Sequence, residues 1–399
     1  MCKTKKEKKV AKIYEQHFAG YINWEGRKLS LSDKVYKAVN KCMACRTKKL
    51  GVVTLACEGC GITYTITRGC NHRFCSYCGA SSTMKWGEST LRRILNIRHF
   101  HVVFTLPKHL RFLSKLNGNK LHDLLFKVSA SIVKDWFSKR FKILPGIISV
   151  LHTSGSDLKY HPHVHMVVSC GGKLQEKEEA YKELQRNYLE DNEVFGGQLK
   201  ERFIRGLIKE YKKGELKVWK EIKDLSSFEK RIDRKRKHWI VNIEKPLSDI
   251  HEIVGYVGRY TKRACISEYK ILEVGERIKI RYNDYKNSKR HEKPLESIKE
   301  FTPYEFLEAL LQHVPEARYR MVRYYGLYNS RYLKKLPAEY KLKEEEVKKE
   351  LVESSAEFEW GEFEEYRKSY IAAGLGDPLW CEDCGRSLII FKVEYEDDS

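Results

Sequence analysis

The chain has 399 residues with a formal net charge of +22 and a sequence pI near 9.3. That balance favours a polyanionic partner, nucleic acid first, because each phosphate contact releases condensed counterions. An anionic membrane surface is the weaker competing reading, since no apolar run approaches the roughly 20 residues needed to span a bilayer. No apolar signal core follows the lysine-rich start, and a cytoplasmic protein without a membrane partner is expected.

Most of the twelve cysteines stand in C-x-x-C pairs. Without a secretion signal such thiols stay reduced, which favours metal over disulfides. After a lysine cluster and a helix expected over Ala11–Tyr21, the pairs follow as Cys42/Cys45, Cys57/Cys60, Cys70 with His72, and Cys75/Cys78. Each C-x-x-C can present two thiolates to one tetrahedral zinc, and two such knuckles close a site. Eight candidate ligands allow two structural zinc ions. Cys57, Cys60, Cys75 and Cys78 form one plausible set and Cys42, Cys45, Cys70 and His72 another, and the sequence does not fix the partition. Basic residues among them (Arg46, Lys48, Lys49, Arg68, Arg73) fit a DNA-binding module.

A linking helix is expected over Ser81–Leu95. The run from His99 then reads as a buried strand ended by Pro107, and a helix with apolar residues at helical spacing follows from about Lys120 to Phe141. Gly146–Gly155 and Pro162–Ser169 read as neighbouring antiparallel strands. On the second, His163 and His165 flank one apolar residue, so both imidazoles project from the same face, as two ligands of a divalent cation require. His152 on the first strand is a candidate third ligand, or a polar residue at a strand end. His161 precedes Pro162 and is held extended, as a substrate-contacting or supporting residue.

Residues 174–237 are highly charged and helical in pattern, an inserted segment whose basic face meets DNA or merely water. A strand resumes at His238 and stops at Pro246. Ser248 and Asp249 are good capping residues for a helix running to about Ile266. It places Tyr256 and Tyr260 one turn apart on one face, among Arg259, Lys262 and Arg263. Arg277–Tyr282 reads as a strand, Pro303–His313 as a helix and Tyr319–Gly326 as a basic aromatic stretch. A charged helical tail from 336 to 399 carries a last knuckle, Cys381/Cys384, which alone cannot complete a four-cysteine site.

A histidine-bound cation and paired phenols in a basic chain suggest cleavage of DNA by tyrosine. The cation acts as a Lewis acid on the scissile phosphate. Imidazoles suit manganese, nickel, cobalt or zinc, and magnesium serves where it is abundant. A free phenol has a pKa near 10, so its phenolate needs the metal or the neighbouring cations.

The motifs H-T-x-G-x-x-L-x-x-H-P-H-V-H from His152, R-H-F-H-V-V-F-T-L-P from Arg98, Y-V-G-R-Y-T-K-R from Tyr256, C-R-T-x-x-L-G from Cys45 and R-Y-Y-G from Arg323 resemble those of the two-tyrosine HUH transposases of the insertion-sequence 91 family. The resemblance spans roughly residues 40 to 330. It implies an α+β HUH endonuclease core with an antiparallel central sheet, preceded by a small zinc-binding domain. It assigns His163 and His165 as metal ligands and Tyr256 and Tyr260 as nucleophiles. It further implies 5′-phosphotyrosine intermediates, single-stranded transposon ends as the DNA partner, rolling-circle-like movement and work at the bacterial nucleoid. Departures stand at Phe74, where the family has histidine, and at Ser154 and Ser156, where an aromatic residue and glutamine are usual.

The expected domains are 1–98 (zinc and DNA binding), 99–335 (nuclease) and 336–399 (tail). A replication initiator or relaxase shares this chemistry, although the zinc block argues against it and no G-x-x-x-x-G-K-[ST] motif for a helicase is present. Two further alternatives are a non-catalytic zinc-dependent DNA-binding protein and a hydrolase in which the H-x-H metal activates water.

Overall fold

The computed structural model describes residues 8–76, 93–176, 180–184, 192–233, 238–244, 265–284, 294–334, 384–386 and 388–394, with Cys78, Trp86, Thr90, Pro337, Glu339 and Cys381. In chain order the described elements are α1 (Lys9–Ile22), α2 (Asp33–Ala44), β1 (Val52–Cys57), β2 (Thr63–Thr67), β3 (His99–Thr105), α3 (Arg111–Phe141), β4 (Ile143–Ser154), β5 (Tyr160–Leu174) and β6 (Tyr181–Glu183). There follow α4 (Asn192–Lys212), α5 (Leu225–Ile232), β7 (Val241–Ile243), β8 (Ile271–Val274), β9 (Ile278–Asp284), β10 (Leu295–Phe301), α6 (Pro303–Leu311), β11 (Val322–Gly326), α7 (Ser330–Leu333) and β12 (Leu388–Glu394). The fold is α+β, with antiparallel pairing throughout the described sheets.

The central sheet has the order β11-β4-β5-β3-β7, with β6 paired to the far end of β5. Its middle is the long β4–β5 hairpin, closed at Gly155–Lys159, where the Gly155 amide bonds the Lys159 carbonyl and Leu158 takes φ 62°. Strand periodicity sorts the side chains. Phe100, Val102, Phe104, Leu151, Val164, Met166 and Val168 point to one face and pack on α3 and α4 in the largest core. Each contributes about 1.5–3 kcal/mol by leaving water. Because the period is two, a slip of one residue would turn all of them outward, so this core fixes the register that aligns the histidines opposite.

Helix α3 breaks at Gly118, which takes φ 33°. The helix expected from about Lys120 is its second half. Helix α6 is set by sequence at its start: Pro303 occupies the first turn, while Thr302 and Glu305 form a reciprocal capping box.

The segment 174–237, read as helical with a basic face, does carry two helices, and it also has a buried apolar side and a strand. Phe195, Leu199, Phe203, Leu207, Phe228 and Ile232 of α4 and α5 are fully buried in the main core, and β6 joins the sheet. The apolar residues of α4 recur four apart, one buried stripe beneath a charged exterior. Residues 177–179, 185–191 and 234–237 lie outside the described ones.

A second sheet, β10-β9-β8, packs with α6 against α1 and α2. Ile13, Tyr14, Tyr21, Val35 and Val39 share a core with Ile271, Ile278, Ile280, Phe306 and Leu310. Tyr21 donates to a Glu308 carboxylate oxygen at 2.6 Å, and Lys9 Nζ to the Ile271 carbonyl at 2.7 Å. The N-terminal helices are therefore built against residues 262 and 287 positions away.

The third sheet, β12-β1-β2, joins the end of the chain to the cysteine block. Residues 340–380, expected as a charged helical tail, lie outside the described residues, and β12 within the same expected tail is a strand. The linking helix expected over Ser81–Leu95 also lies mostly outside them. Among the described residues no helix is long and apolar enough to cross a membrane.

Candidate metal centre and nuclease site

His152 on β4 is the direct cross-strand partner of His163 on β5, and His165 stands two residues further along the same face. One ring nitrogen from each of the three lies within 4.8 Å of the others. The ring centroids are 4.5 Å apart for His152–His165, 4.8 Å for His163–His165 and 5.4 Å for His152–His163. The β-bulge between His152 and Ser154 ends regular pairing beside the cluster, a common feature next to functional sites. Burial is the leading cause that holds all three rings neutral. His163 is pushed down to about 4, and His152 and His165 fall well below the usual histidine value, helped by one another's charge. Three convergent neutral imidazoles are a good donor set for a divalent first-row metal.

The outward nitrogens are accounted for. His163 Nδ1–H donates to the His161 carbonyl at 2.6 Å. His165 Nδ1 lies 3.0 Å from Nε2 of His101, whose Nδ1 lies 2.9 Å from the Glu244 carboxylate. For His165 to offer Nε2 to a metal its proton must sit on Nδ1 and donate to His101 Nε2, which leaves His101 Nδ1–H to donate to Glu244. Both His163 and His165 then present a bare Nε2, the ligating form. Sequence reasoning missed His101 and Glu244. The signal was present in R-H-F-H, where His99 and His101 repeat the H-x-H spacing on the adjacent strand. His99 serves elsewhere, with Nε2 2.6 Å from the Tyr328 hydroxyl.

Charge surrounds the cluster. The positive field of Arg73, from the cysteine block, acts on His152, and that of Arg111 on His161 and His163. His161 Nε2 and Arg111 Nε are buried and have no hydrogen-bond partner among the described residues. Buried polar atoms left unpartnered beside a metal-type cluster are a feature of functional sites that calls for an explanation.

Tyr256, Tyr260, Arg259, Lys262 and Arg263 lie outside the described residues, as does the helix expected to carry them except for its last positions. The described residues at either end of that gap both adjoin the cluster. Glu244 contacts His101, and the Cys265 thiol is hydrogen-bonded to Ser154, two residues from His152.

The cysteines group differently from either set anticipated. Cys45, Cys70, Cys75 and Cys78 bring their Sγ atoms within 4.8 Å of one another, and Cys57, Cys60, Cys381 and Cys384 do the same. Cys45 and Cys78 are 3.4 Å apart, Cys70 and Cys78 3.8 Å. Cys42 and His72, expected as ligands, fall outside both groups. Cys42 is buried on α2 against Cys75, where the helix aims it into the core shared with Val39 and Phe74. His72 turns its Nδ1 to accept the Phe74 amide at 3.3 Å and so braces the loop instead.

Two family models match the chain. One is described as "Transposase zinc-binding domain" over residues 13–106, the other as "Putative transposase" over residues 146–335. The "Putative transposase y4qJ" of Sinorhizobium fredii is 27% identical over 330 residues, which cover 81% of each chain. The "Transposase for insertion sequence element IS801" of Pseudomonas savastanoi pv. phaseolicola is 28% identical over 313 residues, 75% of this chain and 72% of that one. No solved structure matches.

Proposed function

The chain belongs to the insertion-sequence 91 family of transposases, and on that premise we propose that it nicks and rejoins single-stranded transposon ends through tyrosine, aided by a divalent cation on His152, His163 and His165. The observation that carries this reading is the convergence of three neutral imidazoles, one of them braced by His101 and Glu244. Manganese or a later first-row metal fits three nitrogen donors well, and magnesium is the alternative when abundant. A cation held there supplies Lewis-acid polarisation of the scissile phosphate.

The chain's own residues do the rest. The phenolate of Tyr256 or Tyr260 attacks phosphorus, forms the tyrosine–phosphate bond and expels the 3′-oxygen, which leaves as a hydroxyl after taking up a proton. Attack of a 3′-hydroxyl on that phosphotyrosine reverses the exchange and rejoins DNA without an external energy source. His161 Nε2 and Arg111 Nε donate to phosphate oxygens, while Arg73, Arg259, Lys262 and Arg263 hold the strand and favour the phenolate. Structural zinc on Cys45, Cys70, Cys75 and Cys78 fixes the loop that bears Arg73.

The test is covalent trapping. A single-stranded oligonucleotide carrying a transposon end and labelled 3′ of the nick should migrate with the protein on a denaturing gel. A labelled product that is always free of protein would favour metal-activated water and overturn the tyrosine assignment.

A further inference from the structure

We propose that Cys57, Cys60, Cys381 and Cys384 form a second zinc site, one half from the N-terminal block and the other from the far end of the chain. The sulfur pairs cross between the halves: Cys57 lies 3.2 Å from Cys384, and Cys60 3.5 Å from Cys381.

The two halves repeat one backbone design. The Cys57 amide bonds the Ile62 carbonyl at 2.9 Å, and the Cys381 amide bonds the Arg386 carbonyl at 2.8 Å, each spanning five residues. The Gly61 amide returns to the Cys57 carbonyl at 3.1 Å, and that of Gly385 to Cys381 at 2.9 Å. The glycine after each second cysteine takes positive φ, 75° at Gly61 and 69° at Gly385, a conformation that other residues rarely adopt. Amides in such knuckles point at sulfur, and Gly59 N lies 3.3 Å from Cys57 Sγ. Paired knuckles of this form present four thiolates tetrahedrally to zinc.

The halves are also fitted to each other. A Cβ on Gly59 would come within 2.9 Å of Cys384 Sγ and 2.5 Å of Arg386 Cδ. Strand β12 pairs with β1 from Val52↔Glu394 to Cys57↔Leu388, and Leu55 and Leu388 close a small core over Cys57 and Cys381. So few apolar residues make a weak core on their own. A thiophilic cation supplies what the core lacks and fastens the C-terminal strand to the DNA-binding block.

The measurement is cobalt(II) titration of the full-length reduced apoprotein, read by thiolate-to-cobalt charge transfer, which histidine sites do not produce. Wild type should bind two thiolate-held equivalents. The Cys57→Ser/Cys60→Ser and Cys381→Ser/Cys384→Ser variants should each bind one, and the quadruple variant still one, because both pairs belong to the same site. One equivalent in wild type overturns the proposal even if the variants misfold. So does a Cys381→Ser/Cys384→Ser variant that retains two. Neither result touches the tyrosine chemistry, which is read by the DNA adduct.

Discussion

Nε2 of His101 stands 3.0 Å from Nδ1 of His165, across the β3–β5 pair, and joins the candidate metal cluster to the carboxylate of Glu244. The bond orients the His165 ring and fixes which nitrogen is bare. Loss of such a partner typically weakens metal binding about 10–100-fold. His101→Ala should therefore weaken manganese binding, measured by calorimetric titration, by at least about tenfold. Glu244 is 43% exposed, so water screens its charge. Its replacement by glutamine, whose amide oxygen still accepts from His101, should cost no more than about threefold. Metal-free binding of single-stranded DNA should not change in either variant. Affinity within twofold of wild type for His101→Ala would remove His101 from the site.

The first cysteine group makes a prediction that the spacing alone would not. Cys42 belongs to a C-x-x-C pair, yet Cys70 completes the cluster with Cys45, Cys75 and Cys78. Cys70→Ser should lose one zinc equivalent by elemental analysis and release the loop bearing Arg73. Cys42→Ser should keep that zinc and lose only packing, on the order of 1 kcal/mol. The reverse pattern of zinc loss would reassign the ligand.

What could be read from the sequence divides along local and non-local lines. His163 and His165 share a face because strand geometry demands it, and His152 follows once the hairpin is recognised. Helices α1 and α6 stand close to where the sequence placed them. The pairing of Cys57 and Cys60 with Cys381 and Cys384 was not, since nothing in a C-x-x-C names its partner more than 300 residues away. Cys42 has the spacing of a ligand, but the helix that carries it turns it into the core and leaves it outside the four-sulfur group. Glu244 was invisible for a similar reason. A lone acid after a short strand has no pattern, and only the β3–β7 pairing brings it to His101. The buried stripe of α4 was hidden by the charge around it.

Acid should destabilise the fold through buried histidines outside the metal cluster. His99 and His122 are buried, and burial pushes both down to about 4, from about 6.5 in an unfolded chain. Between pH 6.5 and 4 the unfolded state binds more protons, so stability falls as pH falls through that window and is level above it. Each unit of depression amounts to about 1.4 kcal/mol, an upper bound of roughly 3 kcal/mol per residue. Urea midpoints should drop between pH 7 and 5. A His99→Asn variant, although less stable at pH 7 for want of the Tyr328 bond, should drop less steeply. An equal slope in variant and wild type would show that His99 does not contribute.

The last prediction concerns Tyr256 and Tyr260, separated by four residues. On a helix that spacing stacks both phenols on one face, about 6 Å apart, near enough to use one cation in turn but not to attack one phosphate together. One nucleophile suffices to nick a strand. Passing a strand from donor to target is easier with two, since the first bond can persist while the second forms. Phenylalanine retains ring and packing and removes only the oxygen, so melting temperature and zinc content should match wild type in every variant. The double Tyr→Phe variant should form no covalent adduct with the labelled oligonucleotide. At least one single variant should still nick, yet fail to complete transposition in cells. Tyr260 should be the less dispensable, because Arg259, Lys262 and Arg263 beside it in sequence favour its phenolate. An adduct formed by the double variant would place the nucleophile elsewhere, while leaving the histidine cluster to be judged by its metal affinity.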